Sequence, residues 1–81
     1  NWVIEILSHE QKPNKVIDNI LYCLDFGSRL GWFLDPDDAS ILVFQPQQQP
    51  RLYREDAMLP VLEEIPLQLT VDRVYSWLKM Q

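Results

Sequence analysis

The sequence predicts an α/β fold, at the borderline with α+β, arranged as β-α-β-β followed by an extended segment and a C-terminal helix. Three observations predict this class. Two short apolar runs, Trp2–Leu7 and Gly31–Leu34, flank an amphipathic run, Asn14–Phe26. Strand, helix and strand at these lengths predict a right-handed unit whose two strands are parallel. Finally, Pro60 and Pro66 interrupt the apolar stretch before the last helical pattern, so that stretch is expected to be extended.

The first strand, Trp2–Leu7, is expected to be buried on both faces because nearly all of its residues are apolar. A two-residue period places Glu5 on one face with Val3 and Leu7. The opposite face carries Trp2, Ile4 and Ile6. An ionised carboxylate in such a strand is costly unless it is paired, hydrogen-bonded or bound to a metal. Glu5 is therefore the strongest functional clue in the chain.

The first helix is predicted over Asn14–Phe26, with Asn14 as its cap or, alternatively, Pro13 as its first residue. Gly27 suits the left-handed conformation that ends a helix. The apolar stripe comprises Val16, Ile17, Ile20, Leu21 and Leu24, and the opposite side carries Lys15, Asp18, Asn19 and Tyr22. Cys23 is alone, so it is expected to be a small buried residue without a disulfide partner.

The second half of the chain alternates turn chemistry with short apolar runs. Asp35–Ser40 is a turn, and Ile41–Phe44 is expected to return antiparallel to the second strand. Gln45–Pro50 is a low-complexity loop, and Leu52–Arg54 is a candidate edge strand. After the extended segment, Thr70 is expected to cap the final helix. Its predicted packing face comprises Val71, Val74, Tyr75, Trp77 and Leu78.

Composition limits what the chain can do. Its 81 residues make one domain at most, and the net charge of −5 argues against strong nucleic-acid binding by this segment alone. The acidic charge is still compatible with a metal-dependent site at which basic residues from elsewhere contact the DNA. The sequence contains no apolar run of the roughly 20 residues that cross a bilayer, which predicts a cytoplasmic protein without membrane contact. A buried first strand needs two neighbours, so a missing N-terminal half or a homo-oligomer is expected to supply one.

Several motifs, taken in order, resemble a known family. They are Glu5–Ser8, the helix that ends at Gly27, Gly31–Pro36, Ile41–Phe44 and a terminal segment, Leu69–Leu78. Together they resemble the C-terminal half of a bacterial restriction endonuclease family, classified as a domain of unknown function in the PD-(D/E)XK nuclease superfamily. The resemblance covers essentially the whole chain. It implies a restriction-endonuclease-like core fragment, with residues 1–81 forming the C-terminal part of a larger domain.

The resemblance also implies a mechanism and a set of site residues. In such nucleases an Asp and a Glu on successive strands hold Mg²⁺ or Mn²⁺, which activates water for DNA cleavage. Glu5 matches the metal-binding Glu, and the backbone carbonyl of Ile6 is a further candidate ligand. The family Asp would lie on a strand before Asn1. Leu7 stands where these nucleases usually have a lysine. Many relatives carry that lysine on the following helix instead, near the position of Asn19. Lys15 is the nearest lysine that could replace it here.

Other polar and aromatic residues have both a functional and a structural interpretation. His9, Glu10 and Gln11 follow the first strand, where α/β proteins gather their sites, although a single His is a weak metal signal. Asp35, Asp37 and Asp38 lack the spacing of a calcium loop, and turn formation explains them. The remaining candidates are Trp32, Phe33 and Trp77, which are expected to pack in the core rather than stack on bases.

Two functions remain open at this stage. The first is a metal-dependent DNA endonuclease domain that is incomplete or inactive as the 81-residue chain, with Glu5 and Lys15 as catalytic residues and Glu5 and Ile6 as metal ligands. The second is a non-catalytic remnant of the nuclease fold that acts as an association module. Its support is the truncated start of the chain, Asn19 at the helix position where relatives carry a lysine, and the acidic net charge. A second copy is expected to cover the strand edge left open at the start of the chain.

Overall fold

The computed structural model describes residues 1–79. The elements in chain order are β1 (Trp2–Ile6), α1 (Pro13–Asp25), β2 (Leu30–Asp35), β3 (Ser40–Phe44), β4 (Arg51–Arg54) and α2 (Val71–Lys79). The strands form one sheet in the order β1-β2-β3-β4. β1 is parallel to β2, and the other two pairs are antiparallel. The predicted class, the parallel pairing of the first two strands and the antiparallel return of the third are therefore confirmed.

The sheet is covered on both faces by different elements. α1 packs on one face, where the buried cluster comprises Val16, Ile20, Phe33 and Phe44. α2 and the extended segment pack on the other face, in a larger cluster of Leu30, Trp32, Leu34, Ile41, Val43, Leu59, Leu69, Val71 and Val74. Because β2 and β3 contribute to both clusters, these two strands form the centre of the molecule.

α1 begins two residues earlier than an Asn14 cap would require. Lys12 occupies the cap position without a side-chain hydrogen bond, and Pro13 is the first helical residue. Proline suits that position because its missing N–H would have no helical partner and its φ is already helical. The Asn14 cap is therefore wrong, and the alternative start at Pro13 is confirmed. Gly27 has a φ of 107°, which confirms the predicted left-handed end of the helix.

Gly31 allows α1 to approach the sheet closely. A Cβ atom at this position would lie 2.6 Å from Cγ2 of Ile20, a residue that is completely buried. Ile20 is branched at Cβ and has little rotameric freedom in a helix, so its side chain could avoid the overlap only by adopting an unfavourable rotamer. The glycine therefore sets the distance between α1 and β2, and with it the position of α1 over β1.

β1 lies at the edge of the sheet, where β2 is its single partner within residues 1–79. Ile4 and Ile6 each remain 47% exposed, and none of the strand's residues is fully buried. The prediction of a strand buried on both faces is therefore wrong for this structure. The strand is apolar, as its sequence requires, but the described residues do not supply the neighbour that would bury it.

The segment between β4 and α2 is extended, as predicted. Met58 forms an isolated antiparallel bridge with Thr70, and Leu59 N–H donates to the carbonyl of Leu69 over 2.8 Å. Thr70 Oγ1 accepts a hydrogen bond from Arg73 N–H over 3.2 Å, which confirms it as the cap of α2. The prediction that Trp77 lies in the core is wrong. Its side chain is 45% exposed because it lies on the side of α2 that faces away from the sheet.

The remaining expectations concern Cys23, the aromatic residues of β2 and membrane contact. Cys23 is a free, half-buried thiol rather than a fully buried one. Trp32 and Phe33 are buried, which confirms their assignment to the core. Neither helix of the described chain has both the length and the apolar character needed to cross a bilayer. A cytoplasmic location stays a prediction.

Candidate functional site

Glu5 lies in the middle of β1, half-buried, on the face of the sheet that α1 covers. Its Oε2 accepts a hydrogen bond from Nδ2 of Asn19 over 3.1 Å. Val3 and Leu7, the neighbours of Glu5 on this face, pack against the buried cluster under α1. The carboxylate is thus held in place by the helix at one oxygen, and its other oxygen is left to accept a further ligand.

This geometry explains how the strand tolerates a charge. An ionised carboxylate can remain in an apolar strand when it is hydrogen-bonded and keeps some access to water. Glu5 meets both conditions, because Asn19 donates to it and β1 is an edge strand. No arginine or lysine within residues 1–79 forms an ion pair with it. A structural salt bridge, which would have explained the residue without any function, is therefore absent from the described chain.

The backbone of Ile6 faces the open edge of the sheet. Ile6 is aligned with Leu34, and the N–H of the next residue, Leu7, donates to the carbonyl of Leu34 over 2.9 Å. In a parallel ladder successive residues direct their backbone groups to opposite sides of the strand. The carbonyl of Ile6 therefore points away from β2, toward the same open edge that exposes Glu5. This direction agrees with its predicted role as a candidate ligand.

Asn19 is the helical residue that reaches Glu5, although the sequence pattern alone assigns it to the polar side of α1, opposite the apolar stripe. Asn19 is indeed exposed, but the pattern did not predict its contact with Glu5. The available signal was its position three residues after Val16 and one before Ile20, the two buried residues of the helix. This spacing places Asn19 at the border of the buried stripe, within reach of a polar group on the sheet.

Lys15 lies in the exposed first turn of α1, one turn before Asn19. With Lys12, Pro13, Asn14 and Asp18 it lines a shallow depression of about 620 Å³. Within residues 1–79 it forms no ion pair with a carboxylate. The structure therefore does not bring Lys15 together with Glu5, and its catalytic role stays a prediction.

The loop after β1 and the turn after β2 meet at the carboxyl ends of the two parallel strands. His9 Nδ1 lies 3.4 Å from Oδ2 of Asp37, and both side chains are largely exposed. Gln11 Oε1 accepts a hydrogen bond from the N–H of Ser8 over 3.1 Å, so this amide closes the loop. Glu10 is exposed beside them. His9, Gln11 and Asp37 are among the residues that line a groove of about 300 Å³ at this end of the sheet.

The aspartates after β2 form a turn. The N–H of Asp38 donates to Oδ1 of Asp35 over 3.4 Å, a long hydrogen bond in which the side chain stabilises the turn. Asp38 also binds the guanidinium of Arg54. A hydrogen bond from the Ser40 side chain, followed by that from Arg54, holds the pKa of Asp38 below its ordinary value. Turn formation is confirmed for this segment.

A divalent cation fits only part of this site. Glu5 and the Ile6 carbonyl are oxygen donors of the kind that Mg²⁺ prefers. Within the described part of the chain, however, no group of three His, Cys, Asp or Glu side chains could hold a metal ion. Residues 1–79 therefore supply one carboxylate and one carbonyl toward such a site and do not complete it.

The four-stranded sheet with two helices is a mixed α+β fold that matches the fold of a solved nuclease-like protein. A family model described as "Uma2: Putative restriction endonuclease" matches residues 1–77, so the chain belongs to the Uma2 family. A crystal structure described as a "putative nuclease belonging to DUF820" from Anabaena variabilis is 43% identical, with a TM-score of 0.89. The match covers 95% of this chain and 44% of that protein, so the chain spans less than half of that nuclease's length. A search of curated proteins finds no match.

Proposed function

We propose that this chain is the glutamate-bearing part of a Mg²⁺- or Mn²⁺-dependent DNA endonuclease domain of the PD-(D/E)XK type. The observation that carries the proposal is Glu5, a half-buried strand carboxylate that Asn19 orients and that no cation neutralises within residues 1–79. A carboxylate held in this way is already desolvated in part and fixed in direction, as a metal ligand needs to be.

Each residue of the site has a defined task in this proposal. Glu5 would bind the metal with one carboxylate oxygen while Asn19 holds the other, and Ile6 would add its backbone carbonyl. A bound divalent cation would lower the pKa of its water and stabilise the charge that develops on the phosphate. Lys15 is proposed to contact the DNA phosphate from the exposed start of α1, because its side chain is long and solvated there.

The remaining acidic ligand has to come from outside residues 1–79. A preceding segment of a longer polypeptide or a second chain is able to provide it, and the open edge of β1 is where an added strand would reach Glu5. The negative net charge supports the same division of labour, because phosphate binding needs basic residues that this segment does not concentrate. Under this proposal the 81-residue chain alone has little or no nuclease activity.

The test is plasmid nicking by the native protein that contains this chain, with Mg²⁺ or Mn²⁺ as the only divalent cation. Replacing the carboxylate in Glu5→Gln keeps the shape and the Asn19 neighbour, and is expected to lower the nicking rate by about 10²-fold or more. Glu10→Gln is the matched control, because Glu10 is exposed in the following loop. Equal nicking by the native protein and the Glu5→Gln variant would refute the catalytic role.

Asn19 and Lys15 extend the same assay. Asn19→Ala is expected to raise the metal concentration needed for half-maximal nicking about tenfold, because it removes the hydrogen bond that orients Glu5. Asn14→Ala on the same helix should leave that concentration unchanged. Lys15→Ala is expected to raise the KM for DNA, with Lys12→Ala as its neighbour control. If Lys12 and Lys15 behave alike, Lys15 contributes only general charge and has no specific role in the site.

A second candidate function is a non-catalytic association module. The absence of a complete ligand group within residues 1–79 favours it, together with the open edge of β1. The two candidates differ in one cheap measurement. Mn²⁺ at millimolar concentration should raise the melting temperature of the native protein but not that of Glu5→Gln if the site binds metal, since a ligand stabilises the state that binds it. An identical melting temperature with and without Mn²⁺ favours the module.

A further inference from the structure

We propose that the groove at the carboxyl ends of β1 and β2 recognises a DNA base beside the cleaved bond, and that this base is adenine. The inference rests on the proposed function, because it takes Glu5 as the mark of the point of cleavage. The groove does not depend on the open edge of β1, since the residues that line it all lie between Leu7 and Asp37.

The groove lies on the face of the sheet that carries Glu5. It is formed between the loop that follows β1 and the turn that follows β2. Leu7, one of its lining residues, packs against the cluster under α1 and is two residues beyond Glu5 on the same face. Two strand residues span about 7 Å, which is the length of about two base-pair steps. A base next to the cleaved phosphate is therefore within reach of the groove.

Pro36 leaves the carbonyl of Leu7 without a backbone partner at this groove. Leu7 N–H donates to the carbonyl of Leu34, so the parallel ladder would continue with a hydrogen bond from residue 36 to the Leu7 carbonyl. Residue 36 is proline, which has no N–H to donate. Within residues 1–79 the Leu7 carbonyl accepts no hydrogen bond from the backbone. It is thus available to a donor on a ligand.

Asp37 adds an acceptor on the turn side of the groove. His9 Nδ1 lies 3.4 Å from Oδ2 of Asp37, and the side chain of Asp37 is largely exposed. An ionised carboxylate has about four acceptor sites, so the contact with His9 leaves most of them available. Because Asp35 also lines the groove, its charge disfavours a phosphate group there. The turn side therefore suits a ligand that donates N–H groups, as the amine of a base does.

Gln11 supplies a donor on the loop side of the groove. Its Oε1 accepts hydrogen bonds from Ser8 N–H over 3.1 Å and from Ser8 Oγ over 3.3 Å. A backbone N–H can only donate, so the oxygen of this amide must face Ser8 and its Nε2 amine must point elsewhere. Within residues 1–79 that amine donates no hydrogen bond. The groove therefore combines acceptors on one side with a donor on the other.

This combination matches adenine. In the major groove of DNA, adenine presents its N6 amine beside the N7 acceptor, whereas guanine presents two acceptors and thymine an acceptor and a methyl group. Cytosine presents an amine alone and would leave the Gln11 amine without a partner. Asp37 would accept a hydrogen bond from N6, and Gln11 would donate one to N7.

The experiment is cleavage of duplex DNA of randomised sequence by the native protein that contains this chain, with Mn²⁺, followed by sequencing of the cut ends. The native protein should prefer adenine at one fixed position beside the cut by about tenfold or more. Asp37→Ala should abolish that preference. Glu10→Ala is the matched control, because Glu10 is an exposed carboxylate of the same loop that does not line the groove, and it should retain the preference.

Two base analogues test the two contacts separately. Purine in place of adenine lacks the N6 amine, and 7-deazaadenine lacks N7, so the native protein should cut either DNA about tenfold more slowly than the adenine form. Asp37→Ala should no longer distinguish purine from adenine. Gln11→Glu keeps an oxygen for Ser8 but loses the donor, so it should no longer distinguish 7-deazaadenine from adenine.

The outcomes separate this inference from the proposed function. Cleavage that persists in Glu5→Gln refutes the proposed function and the inference together. Cleavage that needs Glu5 but has no base preference overturns the inference alone. A preference that Asp37→Ala leaves intact, or that Glu10→Ala also removes, overturns it in the same way.

Discussion

The two edges of the sheet are built in different ways, although each is a short strand with one neighbour. β4 carries arginine at both ends, binds Asp38 through Arg54, and is followed by Glu55, whose carbonyl accepts a hydrogen bond from Asp72 of α2 over 2.9 Å. β1 has none of these devices and exposes Ile4 and Ile6 instead. The β4 edge is thus closed by charge and by contact with α2, whereas the β1 edge remains open within residues 1–79.

The candidate site lies beside the open edge. Glu5 and the Ile6 carbonyl both belong to β1, and the carbonyl faces away from β2. α2, in contrast, is tied to the closed side of the sheet, where the Tyr75 hydroxyl donates to the carbonyl of Ser40 over 2.6 Å. The open edge of the sheet and the candidate site therefore belong to the same strand, β1.

The largest expected effect tests how α1 packs on the central strand β2. Gly31→Ala should lower the free energy of unfolding by about 1–3 kcal/mol, because its Cβ would overlap Cγ2 of Ile20 and push α1 away from the sheet. The same displacement should move Asn19 away from Glu5 at the open edge while leaving β4 unaffected. Urea denaturation measures the first effect, and chemical shifts of the Asn19 side-chain amide measure the second.

Gly27→Ala is the control for this variant. Gly27 has a φ of 107°, and no atom lies within 4 Å of the point that a Cβ would occupy, so its substitution strains only the backbone, by about 1 kcal/mol. It should leave the Asn19 amide resonances in place. If Gly27→Ala displaces those resonances and Gly31→Ala does not, the position of α1 does not depend on the contact at Gly31.

The second effect tests the closed side of the sheet. Tyr75→Phe should cost about 1 kcal/mol, because it removes the hydrogen bond to the Ser40 carbonyl and leaves that group less well satisfied. Burial, followed by the charge of Asp35, raises the pKa of Tyr75 to about 12. A raised pKa means that the protonated tyrosine stabilises the fold fully below the unfolded value of about 10, and that this contribution is lost as the pH rises through about 12.

Stability measured from pH 8 upward therefore separates Tyr75 from the other tyrosines. The native protein should lose stability between about pH 10 and pH 12, and Tyr75→Phe should flatten that part of the profile. Tyr53→Phe, a half-buried tyrosine on β4, should leave the slope as it is in the native protein. A profile that Tyr53→Phe flattens instead would place the alkaline transition on the β4 edge and remove α2 from the explanation.

The open and closed edges also show which features local sequence can predict. The helices, the turn at Asp35 and the Thr70 cap follow from signals a few residues long, and the structure has them where the sequence predicts them. The burial of β1 depends on which strand becomes its neighbour, and local composition carries no information about that. An apolar strand therefore looks central in the sequence although it lies at the edge.

The candidate site was predictable in part for the same reason. Glu5 stood out because a charge interrupts an apolar period, and that signal is local. Its partner Asn19 is fourteen residues away, and their contact depends on how α1 sits over β1, which Gly31 and Ile20 determine through packing. A helical wheel drawn for α1 alone could place Asn19 near the border of the stripe but could not show which strand residue it meets.

The smallest expected effect concerns the ion pair at the closed edge. Arg54→Ala should lower the free energy of unfolding only slightly, since both partners of the pair with Asp38 are about half exposed and water screens their attraction. The hydrogen bonds from Ser40 and Arg54 lower the pKa of Asp38, so their contribution is present above its ordinary pKa and is lost as the pH falls through the lowered value. Arg54→Ala should therefore differ from the native protein most at neutral pH and least at acidic pH, where Asp38 is protonated. Arg51→Ala is the matched control, because it removes the arginine at the other end of β4, which is not part of this ion pair. If the two variants show the same pH profile, the pair between Arg54 and Asp38 does not account for the difference.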